Sequence, residues 1–462
     1  MNTENKMGTQ KMLPLIVNMT WPPLCSMMMA YSYNFVDSMF VSWAGRDALE
    51  AVSLAFPLNT FLLACAIGFG VGINVLVAKH LGEQDQESAD RAATTALWAS
   101  TVIAVIINIV VLLLLGPYFS LFTDDPVLTG LCMDYGVIIT FMVLPTMHQV
   151  TIQKILQGTG NMIAPMLLQM LGVFFNFFLD PAMIFGWGPF PVLGIKGAAI
   201  STVFGYSLSA LLSFYVLMGR KQKVEIHLLR YGCSFALTMK IIRIGMPSFL
   251  MNMLGAVMVT VSNMVLIGFS TAAVAFFGAY FKMQQIIERC VNSLVQGVLP
   301  VMSYNYGAKK YDRLKSAFHI GNIIAVIFMG SGALVLLFFP AELLAIFKAD
   351  EAMTMIGIPG MRIMAAGYIF AGMSIIFASY MQATANIKQS IIINLLRQAV
   401  LLFPMMYGFA KLMGITGVWA AFPLAEILTL LYSVIVYKRG RNHPDALTAA
   451  EGTCQVPKTN RQ

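Results

Sequence analysis

The chain has 462 residues, of which 58% are hydrophobic and only 11% charged, against roughly 25% charged in an ordinary soluble domain. Too few polar groups remain to cover a water-soluble fold of this length, which excludes that class. The formal charge of +8 would suit an acidic partner such as nucleic acid, but its distribution along the chain argues against that use.

In chain order, the polar N-terminus MNTENKMGTQK meets a long apolar stretch with no small-residue cleavage site, so the first span is expected to stay as an uncleaved anchor. Apolar runs bounded by polar, Gly and Pro breaks then predict twelve transmembrane helices. They lie near 13–43, 47–78, 92–116, 128–152, 162–186, 195–219, 235–268, 271–302, 315–339, 354–381, 388–411 and 414–437. The clearest stretch, 102–115, is apolar all round except for Asn108. Such a helix needs an apolar solvent, and about 20 residues cross a bilayer. Several runs are longer than one crossing needs, so tilted or bent helices are expected, with Pro22, Pro23 and Pro247 at bends. The predicted fold class is an all-α integral membrane protein.

Lysine and arginine orient it. With both termini inside, nineteen of them fall on the inner face, including Lys79, Lys223, Arg230, Lys309, Lys310 and Arg313. Four fall outside: Arg46, Lys196, Lys348 and Lys411. This bias predicts cytoplasmic termini in a plasma membrane and explains the net charge. The partner of the basic face is then anionic lipid, not nucleic acid.

Shifting the chain by 225 residues superimposes its halves. Pro22 falls on Pro247, Gly72 on Gly297, Gly82 on Gly307, Leu121-Phe122 on Ile346-Phe347, and QGTGN from Gln157 on QATAN from Gln382. At a shift of 220, GIKG from Gly194 falls on GITG from Gly414. Six matches in one order indicate a duplication. The expected organisation is a six-helix lobe over 1–219, a cytoplasmic linker over 220–234, a pseudo-symmetric six-helix lobe over 235–440 and a polar tail over 441–462. An even number of spans per repeat gives both lobes one orientation, related by an axis along the membrane normal, with a substrate site between them. A monomer that rocks its two lobes is the expected unit.

A carboxylate in a span costs roughly 2.5–3.5 kcal/mol on an insertion scale and is functional by default. Asp37 lies eight residues before Gly45, about 12 Å below the outer boundary, and Asp180 lies six before Gly186, about 9 Å down. Asn176 is one turn deeper on the same face, and Thr202 descends from Gly194 to about 12 Å. Four polar groups from three helices thus share one depth. They suit a cation site: two neighbouring carboxylates cannot both ionise cheaply, and Asn and Thr oxygens could complete a Na⁺ shell or relay a proton. The competing structural reading is that these acids cap or cross-link helices, with Asp180-Pro181 as local turn chemistry. Under the shift Asp37 becomes Ser262 and the Asp180 region becomes LLFPMMYG, without an acid. The coupling chemistry is therefore expected in the first half alone.

Span 8 carries Lys282, Glu288 and Arg289, with Gln284 and Asn292 a turn either side of Glu288. Glu288 is either a second cation- or substrate-binding carboxylate or a partnered charge in a wet wall; Gln284, Asn292 and, on span 4, Tyr135 are the accompanying substrate-site candidates. His148, Lys154, Arg362 and Arg397 read as interface or cavity-lining groups. The six cysteines are scattered, with no metal-ligand spacing, and read as free thiols. No resident cofactor is expected. The 34 methionines and 32 phenylalanines would suit a promiscuous pocket for flat lipophilic cations, although many must face lipid or pack helices.

The strings NFVDSMFVSWAG, AKHLGEQDQESADRAA, LQGTGN, NFFLDPAMIFG, LGIKGAAIST and LPVMSYNYGAKKYDRLKSA together resemble the MATE (multidrug and toxic compound extrusion) transporters, over about 10–438. The resemblance implies a twelve-helix, two-lobed exporter of cationic drugs driven by H⁺ or Na⁺ entry. It matches Asp37 to the family's first-helix Asp, Asp180 to the fifth-helix Asp before Pro, Asn176 to the Asn one turn earlier and Thr202 to the sixth-helix Thr. The NorM-like branch also has a helix-7 carboxylate eight residues after a Pro; here that position is Gly255, and 354–381 holds no acid. The chain is thus more similar to the DinF-like branch. Its nearest rival is a lipid-linked oligosaccharide flippase of the same superfamily, for which buried basic residues and often fourteen spans would be expected. Membrane-enzyme motifs such as H-E-x-x-H and G-x-S-x-G are missing.

Overall fold

The computed structural model describes residues 5–442 apart from 45, 188–189 and 220–221. Most of the expected polar tail, with Cys454, and the linker residues Arg220 and Lys221 therefore lie outside the described residues, as do the side chains of Arg46 and Arg441.

Among the described residues the chain is helical, with no strand. In the first half a single turn, α1 (Lys6–Thr9), leads to α2 (Met12–Ala44), α3 (Arg46–Gly82) and α4 (Gln86–Ser120). Next, α5 (Pro126–Phe141) and α6 (Val143–Gly158) form one leg interrupted at Met142, before α7 (Ile163–Phe185) and α8 (Ile195–Leu217). The second half has α9 (Phe235–Leu266), α10 (Thr271–Gly307), α11 (Tyr311–Phe338) and short α12 (Pro340–Ile346). It continues with α13 (Glu351–Ala365) and α14 (Tyr368–Ala383), bent by 45°. After α15 (Ile387–Leu395) comes a π-helical turn (Leu396–Val400), then α16 (Leu402–Met413) and α17 (Ile415–Asn442).

Nine of the described segments are long and apolar enough to cross a membrane, or ten with the bent pair α13–α14 taken as one span. The protein is thus an all-helical, multi-pass membrane protein. The sequence reading also counts α2 and α10, at 33 and 37 residues. Both are long enough to span, but they carry the polar residues that build the candidate sites. Pro22, Pro23 and Pro247 lie inside continuous helices.

The turns repeat with the sequence. Left-handed φ occurs at Gln84 and Lys309, and at Gly160 and Ala385, both pairs 225 apart; it recurs at Gly194 and Gly414, 220 apart. Such conformations are uncommon for residues with a Cβ, so their pairing is strong backbone evidence for the duplication.

The described chain starts and stops at one end of the bundle. Lys310 Nζ donates to the Gly8 carbonyl at 3.2 Å, and Tyr437 near the close of α17 stacks on Phe318 at 5.0 Å. At this basic end the halves meet closely. A Cβ on Gly82 would lie 2.0 Å from the Tyr304 carbonyl oxygen, and one on Gly307 would lie 2.2 Å from that of Lys79. Residues 79 and 304 are also 225 apart, so the contact is reciprocal. On α2, Leu15, Ile16, Met19, Thr20 and Ser26 are buried, whereas Tyr31 to Met39 are half-buried or exposed where described. The helix leaves the packed interior toward the opposite end.

Two hydrophobic clusters follow this division. One runs through the first half into the basic end of the second, including Ile244, Val298 and Phe318. The other is confined to the second half, around Trp419 and its ring neighbours Phe276 and Phe277. The linker is fastened along α4: Glu225 N–H donates to Asp90, His227 N–H to Thr94, and the Trp98 indole to the Leu228 carbonyl.

Candidate functional site

In the half of the bundle away from the basic end, α2, α7 and α8 bring three hydroxyl and carboxyl groups onto one acid. Asp180, on α7, is fully buried. Its two oxygens accept hydrogen bonds from Tyr33 of α2 and Ser201 of α8. Asp37, one turn along α2 from Tyr33, lies side chain to side chain with Asp180. Pro181 follows Asp180 directly, and proline removes one backbone donor from the helix ladder at this level.

Of Asp37, Asp180, Asn176 and Thr202, expected at one depth, the structure brings Asp37 and Asp180 into contact, and Asn176 lies one turn from Asp180 on α7. Asn176 is 5% exposed and its Oδ1 has no hydrogen-bond partner among the described residues. Its amide presses on α8 so closely that a Cβ at Gly205 would lie 1.9 Å from Oδ1. Thr202 differs: its hydroxyl donates to Ala198 of its own helix at 2.9 Å, and the neighbouring Ser201 reaches Asp180 instead. Depth placed both residues equally well, but consecutive helical side chains point about 100° apart, and only one faces α7. Tyr33 and Ser201 are therefore additions to the expected site. Tyr33 carried a legible signal, standing four residues before Asp37 on one helix face. Tyr135, expected at a separate polar site, is buried on α5 beside Asn59 and within electrostatic reach of Asp37 and Asp180. It belongs to the surroundings of the acid pair.

The second half holds a different constellation. Arg397, in the π-helical turn, is 6% exposed; its Nε donates to Glu426 of α17 at 2.7 Å, and a terminal nitrogen lies 3.5 Å from Glu288 of α10. Gln284 donates to Glu288 at 3.2 Å. Glu288 is thus a partnered charge, and its partner is Arg397. Asn292 is half-buried one turn further along α10, with no hydrogen bond from its side chain among the described residues. Glu426, near the middle of the last span with Thr429 one turn further along, is an intramembrane carboxylate that the sequence analysis passed over. A π-helical turn inserts an extra residue into the ladder and often marks a functional position; here it turns Arg397 onto both acids. His148 bonds Thr101 of α4 at 3.0 Å inside the first half, Arg362 is exposed, and the five described cysteines are free. Among the described residues no cluster of three His, Cys, Asp or Glu could hold a metal ion.

The comparisons with known proteins bear on the family and on the internal repeat. The MatE family model matches the chain twice, over residues 22–182 and 247–407, and the two matches stand 225 residues apart, the offset of the internal repeat. Among curated proteins, the FAD transporter of Shewanella oneidensis is 27% identical over 415 residues, covering 90% of this chain and 92% of the relative. The multidrug export protein MepA of Staphylococcus haemolyticus is 23% identical over 426 residues, covering 91% and 92%. Among solved structures, a MATE protein in complex with MaL6 superimposes with a TM-score of 0.88 at 23% identity, over 97% of this chain and all of the other. The outward-facing conformation of a multidrug resistance MATE family transporter of the MOP superfamily gives the same score and identity, over 97% and 99%. With family matches covering most of its length and an acid cluster buried among its spans, the chain belongs to the MatE family of membrane transporters, which are not enzymes.

Proposed function

We propose that this chain is a secondary active exporter of lipophilic, mostly cationic compounds, driven by H⁺ or Na⁺ entering through the acid pair of the first half. The observation that carries this reading is the contact of Asp37 with Asp180, held by hydroxyls from two further positions and without a counterpart among the described residues of the second half. Two carboxyl groups in contact at low dielectric need a shared proton or a cation between them. Hydrogen bonds to a carboxylate favour its charged form, so Asp180 serves as the fixed charge and Asp37 as the group that exchanges the ion. The unpartnered Asn176 Oδ1 is an oxygen ligand in reserve, which fits Na⁺ as well as H⁺.

In this reading the twelve spans form two six-helix lobes, 1–219 and 235–440, that rock about the seam at the basic end, which faces the cytoplasm with both termini at a plasma membrane. Changing the ion's occupancy alters the charge of the acid pair by one, and one charge moved through 100 mV is worth about 2.3 kcal/mol, enough to bias two conformations. The chain stands nearer the DinF-like than the NorM-like branch: Gly255 occupies the helix-7 position of the latter's acid, and the acids of the second half, Glu288 and Glu426, are engaged by Arg397. A second reading changes only the cargo: the 27% identical FAD transporter supports transport of FAD by the same machine.

The test is ethidium efflux from energised cells and, in proteoliposomes, transport under separately imposed H⁺ and Na⁺ gradients. Asp37→Asn should abolish gradient-driven efflux; efflux at the wild-type rate would sink the coupling role. The gradient that drives the wild type identifies the ion.

A further inference from the structure

Lys154 is a buried lysine among the spans. It lies one turn before the end of α6 at Gly158, in the basic half of the bundle, and is 8% exposed. Its Nζ donates to Gln157 Oε1 at 2.9 Å and to Gln296 Oε1 at 2.9 Å, while Gln157 Nε2 donates to the same Gln296 oxygen at 3.0 Å. Among the described residues no carboxylate pairs with it. The contrast with Arg397 is direct: among the described residues that guanidinium has two acids, whereas the Lys154 amine has two neutral amides. The duplicated position is Ser379, whose hydroxyl merely bonds its own helix at the Ile375 carbonyl. The charge is therefore specific to the first half.

The bond to Gln296 crosses the seam, because α6 belongs to the first half and α10 to the second. Separation of the halves at the basic end removes Gln296 and leaves the ammonium with one amide acceptor, facing the opening. An intramembrane charge is retained where it has something to bind, and a lysine ammonium is a compact donor to carboxylate and phosphate oxygens.

We infer that Lys154 is an anion-binding site, exposed when the basic end opens, that takes the carboxylate or phosphate of an amphiphilic organic anion. This rests on the alternating-access reading above and names the group that would hold the acidic part of an amphiphilic cargo. Loading and release then have a common cause. As the seam closes, Gln296 returns to the ammonium and replaces the anionic oxygens. The displaced anion moves toward the opposite half, where the Asp37–Asp180 pair disfavours its rebinding.

The experiment uses the full chain in proteoliposomes and two probes: a rhodamine bearing a free carboxylate, and its methyl ester. The readout is the ratio of their transport rates. Wild type should move both. Lys154→Gln should lower the carboxylate-to-ester ratio at least tenfold, Lys154→Glu should lower it further, and Lys154→Arg should restore most of it. An unchanged ratio in Lys154→Gln, or equal loss of both dyes in Lys154→Gln and Lys154→Arg, overturns the site and leaves a seam contact only. Wild type that moves the ester but not the carboxylate overturns this inference while sparing the transport reading. Movement of neither dye overturns both.

Discussion

Tyr33 and Ser201 grip Asp180 from two helices, so each hydroxyl sets the charge state of a group it does not itself replace. Removing one should retune the ion dependence without emptying the site. Hydrogen bonds to charged groups contribute about 1.5–3 kcal/mol, and about 1.4 kcal/mol is one decade of concentration. Tyr33→Phe should therefore shift the H⁺ or Na⁺ concentration for half-maximal transport by roughly ten- to a hundredfold, read from gradient titrations in proteoliposomes. Arg397 makes a complementary case. Taking it away leaves Glu426 and Glu288 with uncompensated charge, and breaking a buried pair from one side costs about 3–5 kcal/mol. Arg397→Met should lower the midpoint of thermal unfolding in detergent, and adding Glu426→Gln and Glu288→Gln should recover most of the loss. Recovery identifies the triad as a tie within the second half; continued loss of transport in the recovered variant would give its carboxylates a further role.

At the scale of elements, hydropathy located the spans because in lipid the backbone must satisfy itself and the side chains must be apolar. The expected span at 195–219 is the helix Ile195–Leu217, and that at 162–186 is Ile163–Phe185. Hydropathy could not show the break at Met142, the 45° bend between α13 and α14 or the π-helical turn at Leu396, because these depend on how neighbouring helices pack. The same limit separates Ser201 from Thr202. Depth is a property of one helix, whereas facing is a property of two. Polar caps at the helix starts can be tested. Asp85 accepts from the Ser88 amide at 3.0 Å and caps α4, so Asp85→Ala should cost about 1 kcal/mol. Burial pushes the Asp85 carboxyl up, but the Ser88 hydrogen bonds and His80 outweigh it and hold the group below its ordinary value. A carboxyl held low in the folded state stabilises above its unfolded pKa and loses that contribution as pH falls through the folded one. The stability difference between wild type and Asp85→Ala should therefore persist at neutral pH and shrink only below about pH 4, as followed by thermal unfolding.

For the whole molecule, the 225-residue register (seen in sequence, in left-handed turns and in the two family matches) leads to a physical expectation about assembly. The basic-end seam is built from backbone-close contacts and shared hydrophobic packing, and the linker adds hydrogen bonds to α4 on its own side. Chains 1–228 and 229–462, expressed together, should recover transport and co-purify through the seam; failure to associate would show that the covalent link is indispensable.

The contact at Gly82 and Gly307 reaches further than packing. Gly82 meets the carbonyl of residue 304 while Gly307 meets that of residue 79, so each surface is its own complement, the isologous arrangement of a two-fold homodimer. Before the two copies were fused, a single copy of the repeat could meet itself through this face. In such an ancestor every group would occur twice, so an acid cluster or a lone lysine on one side alone was out of reach. Fusion released the two copies from that identity. The difference between Asp37, Asp180 and Lys154 in one half and Arg397 with its acids in the other is one that a pair of identical chains could not carry.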